Sequence, residues 1–125
     1  MPKATESKEN GIAFIAVPCP EDIFDTPDAV IMRRKRVAIW KLDQINAFQP
    51  GQEAQMYDLF AELIPAWDGV LDVETGKPLP NLSDDPNGLT RLDTEQLAWL
   101  SGVLRQTPAN LLKKGADPKG GSGLT

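Results

Sequence analysis

Thr26-Pro27-Asp28-Ala29-Val30-Ile31-Met32-Arg33-Arg34-Lys35-Arg36-Val37-Ala38-Ile39-Trp40-Lys41-Leu42 is the stretch on which the fold turns, because it reads in two ways. Thr26 before Pro27 has the chemistry of an N-cap followed by proline at the first helical position, and Asp28 lies where a helix dipole favours negative charge. On that reading one helix runs to Phe48, with Ile31, Ala38, Leu42, Ile45 and Phe48 on a single stripe that four cationic residues interrupt. On the other, Ala29 to Arg33 is a short strand and a helix starts only at about Arg36. Periodicity does not separate the two.

Downstream the helical signals are plainer. Met56, Leu59, Phe60, Leu63 and Ile64 recur at helical spacing between Gly51 and Pro65, which predicts a helix over Gln52 to Ile64. Leu92-Asp93-Thr94-Glu95-Gln96-Leu97 carries an aspartate N-cap, a glutamine three residues on that completes a capping box, and leucines at the two staple positions. That helix continues through Trp99, Leu100, Val103 and Leu104. Thr107-Pro108 opens a last short helix that Gly115 closes. Between the two best helices, Val70-Leu71-Asp72-Val73 and Lys77-Pro78-Leu79 flank Glu74-Thr75-Gly76, a small hairpin or hairpin-like loop whose prolines place it at an edge.

The N-terminal end has weaker signals. Met1 to Asn10 is polar, and Ala13 to Val17 reads as a short strand or an extended arm that Pro18 and Pro20 stop. The expected architecture is therefore mainly α with a small β-hairpin, an α+β single domain. A flexible arm at 1–21 precedes a compact body at 22–114, and a flexible glycine-rich tail follows at 115–125.

Composition narrows the chemistry. The chain has 125 residues, 13 Lys and Arg against 18 Asp and Glu for a net charge of −5, no histidine and one cysteine. Imidazole triads, cysteine-rich zinc sites and internal disulfides are excluded. The longest apolar run, Ile12 to Val17, is far short of the ~20 residues a membrane helix needs. Three carboxylate pairs, Asp84 with Asp85, Asp68 with Asp72, and Glu21 with Asp22, raise a hydrolase reading. Asp84 and Asp85 sit in a Pro-Asn-Gly turn context that favours solvated carboxylates, and Asp68, Asp72 and Glu74 lack the spacing of a calcium loop. No metal, cofactor or enzymatic activity is expected.

Arg33, Arg34, Lys35 and Arg36 form a basic patch that, with Lys41, interrupts an otherwise acidic body. A nucleic-acid contact is outweighed by the acidic total and by the lack of interleaved aromatics. The block is expected to be a solvated face, or to meet the acidic body or an acidic partner. Cys19, between two prolines, reads as an inert thiol. Trp40 and Trp99 are expected in or near the core. Trp67 is expected to seal the hairpin against the preceding helix, the alternative being an exposed anchor.

Leu63-Ile64-Pro65-Ala66-Trp67-Asp68-Gly69-Val70-Leu71-Asp72-Val73-Glu74-Thr75-Gly76-Lys77-Pro78-Leu79-Pro80 resembles a pattern in tail assembly chaperones of long-tailed bacteriophages. The matching positions are Trp67, Gly69, Asp72, Gly76, Pro78, Leu79 and Pro80, and the looser likeness runs over about residues 30 to 105. The Arg33 to Arg36 block and the Asp84-Asp85-Pro86 segment depart from the pattern. The resemblance implies a non-enzymatic protein of the host cytoplasm that coats the tape-measure protein until tail tube subunits polymerise around it. Neither nucleic acid nor a membrane is expected as partner, and a homo-oligomer is left open. It also implies that a programmed ribosomal frameshift near Leu112-Lys113-Lys114-Gly115 could yield a longer product. Other readings are a structural virion component, such as a head-tail connector or tail completion protein, and a small acidic inhibitor of a host factor.

Overall fold

The computed structural model describes residues 5–9, 11–47 and 49–111. Its sheet has four antiparallel strands in chain order: β1 (Thr5–Glu9), β2 (Ile12–Pro18), β3 (Val30–Arg34) and β4 (Ala66–Asp68). The helices are α1 (Glu21–Phe24), α2 (Ile39–Asn46), α3 (Glu53–Leu63) and α4 (Thr94–Arg105), with a 3₁₀ helix at Pro86–Arg91 before α4.

Alternation decides the ambiguous stretch in favour of a strand. In β3 the buried positions are Ile31 and Arg33, two residues apart, and the ladder sets Ile31 opposite Val17 and Arg33 opposite Ile15, both buried in β2. Val30 and Ile31 are β-branched and suit this pleated, half-covered surface. Trp67 of β4 lies opposite Ile31, so Ile15, Val17, Ile31, Arg33 and Trp67 share the buried face of the sheet. Helical residues complete the same core: Met56, Phe60 and Leu63 from α3, and Leu100, Val103 and Leu104 from α4. Thr26, Pro27 and Asp28 belong to a turn before β3, and the helix that follows begins only at Ile39.

Two expectations are corrected here. A mainly helical domain with a small hairpin gives way to helices packed on a four-stranded sheet, most of it built from the first 34 residues. The expected flexible arm at 1–21 is, where described, β1, β2 and the start of α1, and Ile15, Val17 and Cys19 are buried. Local sequence left Ala13 to Val17 open between a short strand and an extended arm, because a strand gains its backbone hydrogen bonds only from partners remote in the chain. Pro18 occupies the last position of β2, where it ends the pairing without interrupting it. The expected tail at 115–125 lies outside the described residues.

The two strong helices form where their local signals put them. Asp93 accepts from the Gln96 backbone N–H at 2.8 Å, and the Gln96 side chain accepts from the Asp93 N–H at 3.1 Å, closing the capping box of α4. Thr107 likewise accepts from the Asn110 N–H at 3.1 Å and starts the short helical turn at 108–111.

Candidate functional site

The seven residues of the tail-chaperone-like pattern come together in one loop unit after α3. Trp67 is 6% exposed; its indole Nε1 donates to the Pro80 carbonyl at 2.9 Å and its backbone N–H donates to the Asn81 side chain at 3.1 Å. The ring therefore seals the loop onto the sheet and is not an exposed anchor. Gly69 has φ +79°, and a Cβ there would stand 3.1 Å from the Ala29 Cα, so only glycine lets the chain leave β4 this close to β3. The hairpin-like loop closes through the Leu79 N–H to the Val70 carbonyl and the Asp72 N–H to the Lys77 carbonyl, both 2.9 Å, with Leu71 bridging Pro78 and Gly76 at φ +73° in the turn.

Asp72 organises the tip. One carboxylate oxygen accepts from the Glu74 and Thr75 N–H groups at 2.8 and 3.3 Å, and the other accepts from the Arg91 Nε at 2.7 Å. The Arg91 hydrogen bond, aided by the two backbone donors, holds the Asp72 carboxyl below its ordinary value of 3.8 and in turn raises Arg91. A largely buried carboxylate that accepts two backbone donors from its own turn and one from Arg91 is a turn-builder.

No protein-family model matches this chain, nor does any curated protein or solved structure. What the molecule does must be read from its own surfaces and interior.

The basic patch does not act as one face. Arg33 points into the core, 1% exposed, and donates to the carbonyls of Arg34, Lys35, Val103 and Gln106 at 2.6 to 3.0 Å. Burial pushes its guanidinium down to about 10, which leaves it charged at neutral pH. Arg34 lies 3.3 Å from the Glu62 carboxylate, which Lys41 also engages; Lys35 is half-buried and Arg36 is exposed. The expectation of a solvated basic face is thus corrected at Arg33, for the same reason that β3 is a strand: residue 33 shares the face of Ile31.

Asp84 and Asp85 are exposed, and Asp85 caps the 3₁₀ helix by accepting from the Asn87 N–H at 3.1 Å. Glu21, Asp22 and Asp25 line an open depression beside α1. Among the described residues no group of three or more His, Cys, Asp or Glu is placed to hold a metal ion. Among them too, no helix is long and apolar enough to cross a membrane. Cys19 is buried, and burial pushes its thiol up to about 12, far from a reactive thiolate at neutral pH.

Trp99 sits where expected, partly buried and edge-on to Phe24 with ring centroids 5.4 Å apart. Trp40 does not. It is 61% exposed, and its neighbour Ile39 is 75% exposed, at the start of α2. Leu42 and Ile45 carry the packed side of this helix, and Trp40, two positions before Leu42, falls on the opposite side. Ile39 and Trp40 are the two most exposed large apolar residues among those described, whereas the Trp67 loop is a structural brace.

Proposed function

We propose that this chain is a non-enzymatic tail assembly chaperone of a long-tailed bacteriophage, acting in the host cytoplasm by holding an apolar, helical tape-measure protein until tail tube subunits assemble around it. Support comes from the Leu63 to Pro80 stretch. Six of its seven matching residues have identifiable work in one connected loop: a ring to pack, two positive-φ glycines, an aspartate that ties the tip down, a bridge at Pro78 and an acceptor carbonyl at Pro80. The seventh, Leu79, packs partly against the core. Holding a polypeptide calls for exposed apolar area and no reactive group, and the Ile39–Trp40 pair supplies such area.

Co-expression with the tape-measure protein encoded in the same genome tests this. The chain is expected to keep that protein soluble and to co-purify with it, and to be missing from finished virions by mass spectrometry. Stoichiometric presence in the virion would assign it instead to the particle as a connector or completion component.

A further inference from the structure

We propose that the second face of the sheet, centred on Met32, docks a second copy of this chain, sheet on sheet across a two-fold axis.

The ladder that sets Ile15, Val17, Ile31, Arg33 and Trp67 on the core side sets the alternate residues on the other. Ala16, Met32 and Ala66 form its central row across β2, β3 and β4. Phe14 and Arg34 lie on one side of that row, and Pro18, Val30 and Asp68 on the other. An antiparallel sheet with one face in water carries polar residues there, yet all of these except Arg34 and Asp68 are apolar. Phe24 of α1, Ile45 of α2, Phe60 of α3 and Leu100 of α4 all join the core on the opposite side. Phe14, Ala16, Val30, Met32 and Ala66 neither belong to that core nor pack against it, and each keeps part of its surface open. An apolar sheet face is normally buried by a further layer.

Shape and charge choose a second copy as that layer. Four strands at about 4.8 Å spacing, with about seven residues along β2, make a face roughly 19 Å by 24 Å. One helix, about 10 Å across, covers half that width, whereas a second sheet covers all of it. Arg34 and Asp68 stand at diagonal corners of the central row. Arg34 shares the Glu62 carboxylate with Lys41, which leaves its corner cationic; Asp68 is exposed and has no ion pair among the described residues. A two-fold axis along Ala16, Met32 and Ala66 lays each strand on its own copy, the aligned packing of β-sandwiches. Met32 then meets Met32, Phe14 meets Pro18, and Arg34 comes over Val30, one strand spacing from the copy's Asp68. Because the corners are diagonal, both ion pairs form at once. The net charge of −5 opposes pairing only weakly at physiological salt, where the Debye length is about 8 Å. Two such faces bury on the order of 900 Å² together, the scale of a transient contact, so the dimer dissociates on dilution. The assignment stands apart from the chaperone reading.

Sedimentation velocity of the full chain, from micromolar to near-millimolar concentration, tests it. A concentration-dependent dimer is expected. Met32→Glu, which sets two carboxylates together on the axis, should weaken it at least about tenfold, or about 1.4 kcal/mol, with the melting temperature of the dilute monomer kept. Asp68→Arg and Arg34→Asp should each weaken self-association as well, and an equimolar mixture of the two should dimerise again, since each then supplies the charge the other lacks. Monomer at every concentration, a dimer unchanged in Met32→Glu, or a mixture that stays monomeric overturns the proposal. A monomeric parent whose co-purification with the tape-measure protein is lost in Met32→Glu would give the face to that partner instead. A monomeric parent that binds phosphatidylcholine vesicles through the same residue would make it a membrane contact. A monomer that still keeps the tape-measure protein soluble leaves the chaperone function standing, and a dimer that does not leaves this interface standing.

Discussion

Arg33 is almost wholly withdrawn from water, and the fold meets its charge with backbone carbonyls at the C-terminal end of α4. Val103 and Gln106 sit where the partial negative charge of that helix collects, so the guanidinium satisfies otherwise orphaned acceptors and the helix end offsets part of the desolvation. The same side chain reaches the Arg34 and Lys35 carbonyls, which fixes the exit of β3 against the exit of α4. Replacing it by methionine keeps much of the volume and removes every donor. Arg33→Met should therefore lower unfolding free energy by about 3 kcal/mol, from several buried carbonyls left unpaired. Arg33→Lys should recover only part of it, since an ammonium cannot span the four acceptors of a planar fork. Urea denaturation of the three proteins measures this, and a methionine variant as stable as the parent would mean that apolar packing is all the position requires.

The loop after β4 and the 3₁₀ helix are joined through Asp72, and the joint is titratable. Besides the Arg91 Nε contact at 2.7 Å, the Val73 N–H donates to the Arg91 carbonyl at 3.1 Å, so the two elements meet by both side chain and backbone. Because the folded protein holds the Asp72 carboxyl below its ordinary 3.8, the contact contributes fully above about pH 5 and is lost as pH falls through that value and beyond. Asp72→Asn should melt at a lower temperature than the parent at neutral pH, and the gap should close as the solution is acidified. A gap independent of pH would assign the effect to shape alone. At this scale α3, α4 and the hairpin-like loop were legible in the sequence, because caps, staples and turn glycines act between residues a few positions apart. Thr26-Pro27-Asp28 misleads for the same reason: its chemistry suits a helix start and a tight turn equally, and the choice lies outside it.

Across the whole molecule, β2 is the element that the expected division placed in the arm, outside the compact body, and that the sheet cannot do without. It pairs with β1 on one side and β3 on the other, and places Ile15 and Val17 in the common core. A chain beginning at Cys19 would expose one side of β3 and lose both residues, each worth about 2 to 5 kcal/mol by the measure of large-to-small core substitutions. Against a typical total of about 5 to 15 kcal/mol, that truncation should abolish the cooperative thermal transition seen by circular dichroism. Retention of a sharp transition would restore the dispensable-arm view.

The sequence by itself determined the strong helices, their caps, the glycine turn of the loop and the residues of the Leu63 to Pro80 pattern, all set by contacts within about one turn of chain. Tertiary structure decided three things that share a cause. Residues 30–34 became a strand, Arg33 went inside and Trp40 stayed outside, because each outcome depends on partners far along the chain: Ile15 and Val17 across the ladder, and the Val103 and Gln106 carbonyls at the end of α4. For Trp40 it depends on the absence of any apolar surface over the outer side of α2 among the described residues. Local propensity ranks conformations by a few tenths of a kcal/mol per residue, whereas burial and long-range pairing act with several times that per side chain, so where the two compete the packed core decides.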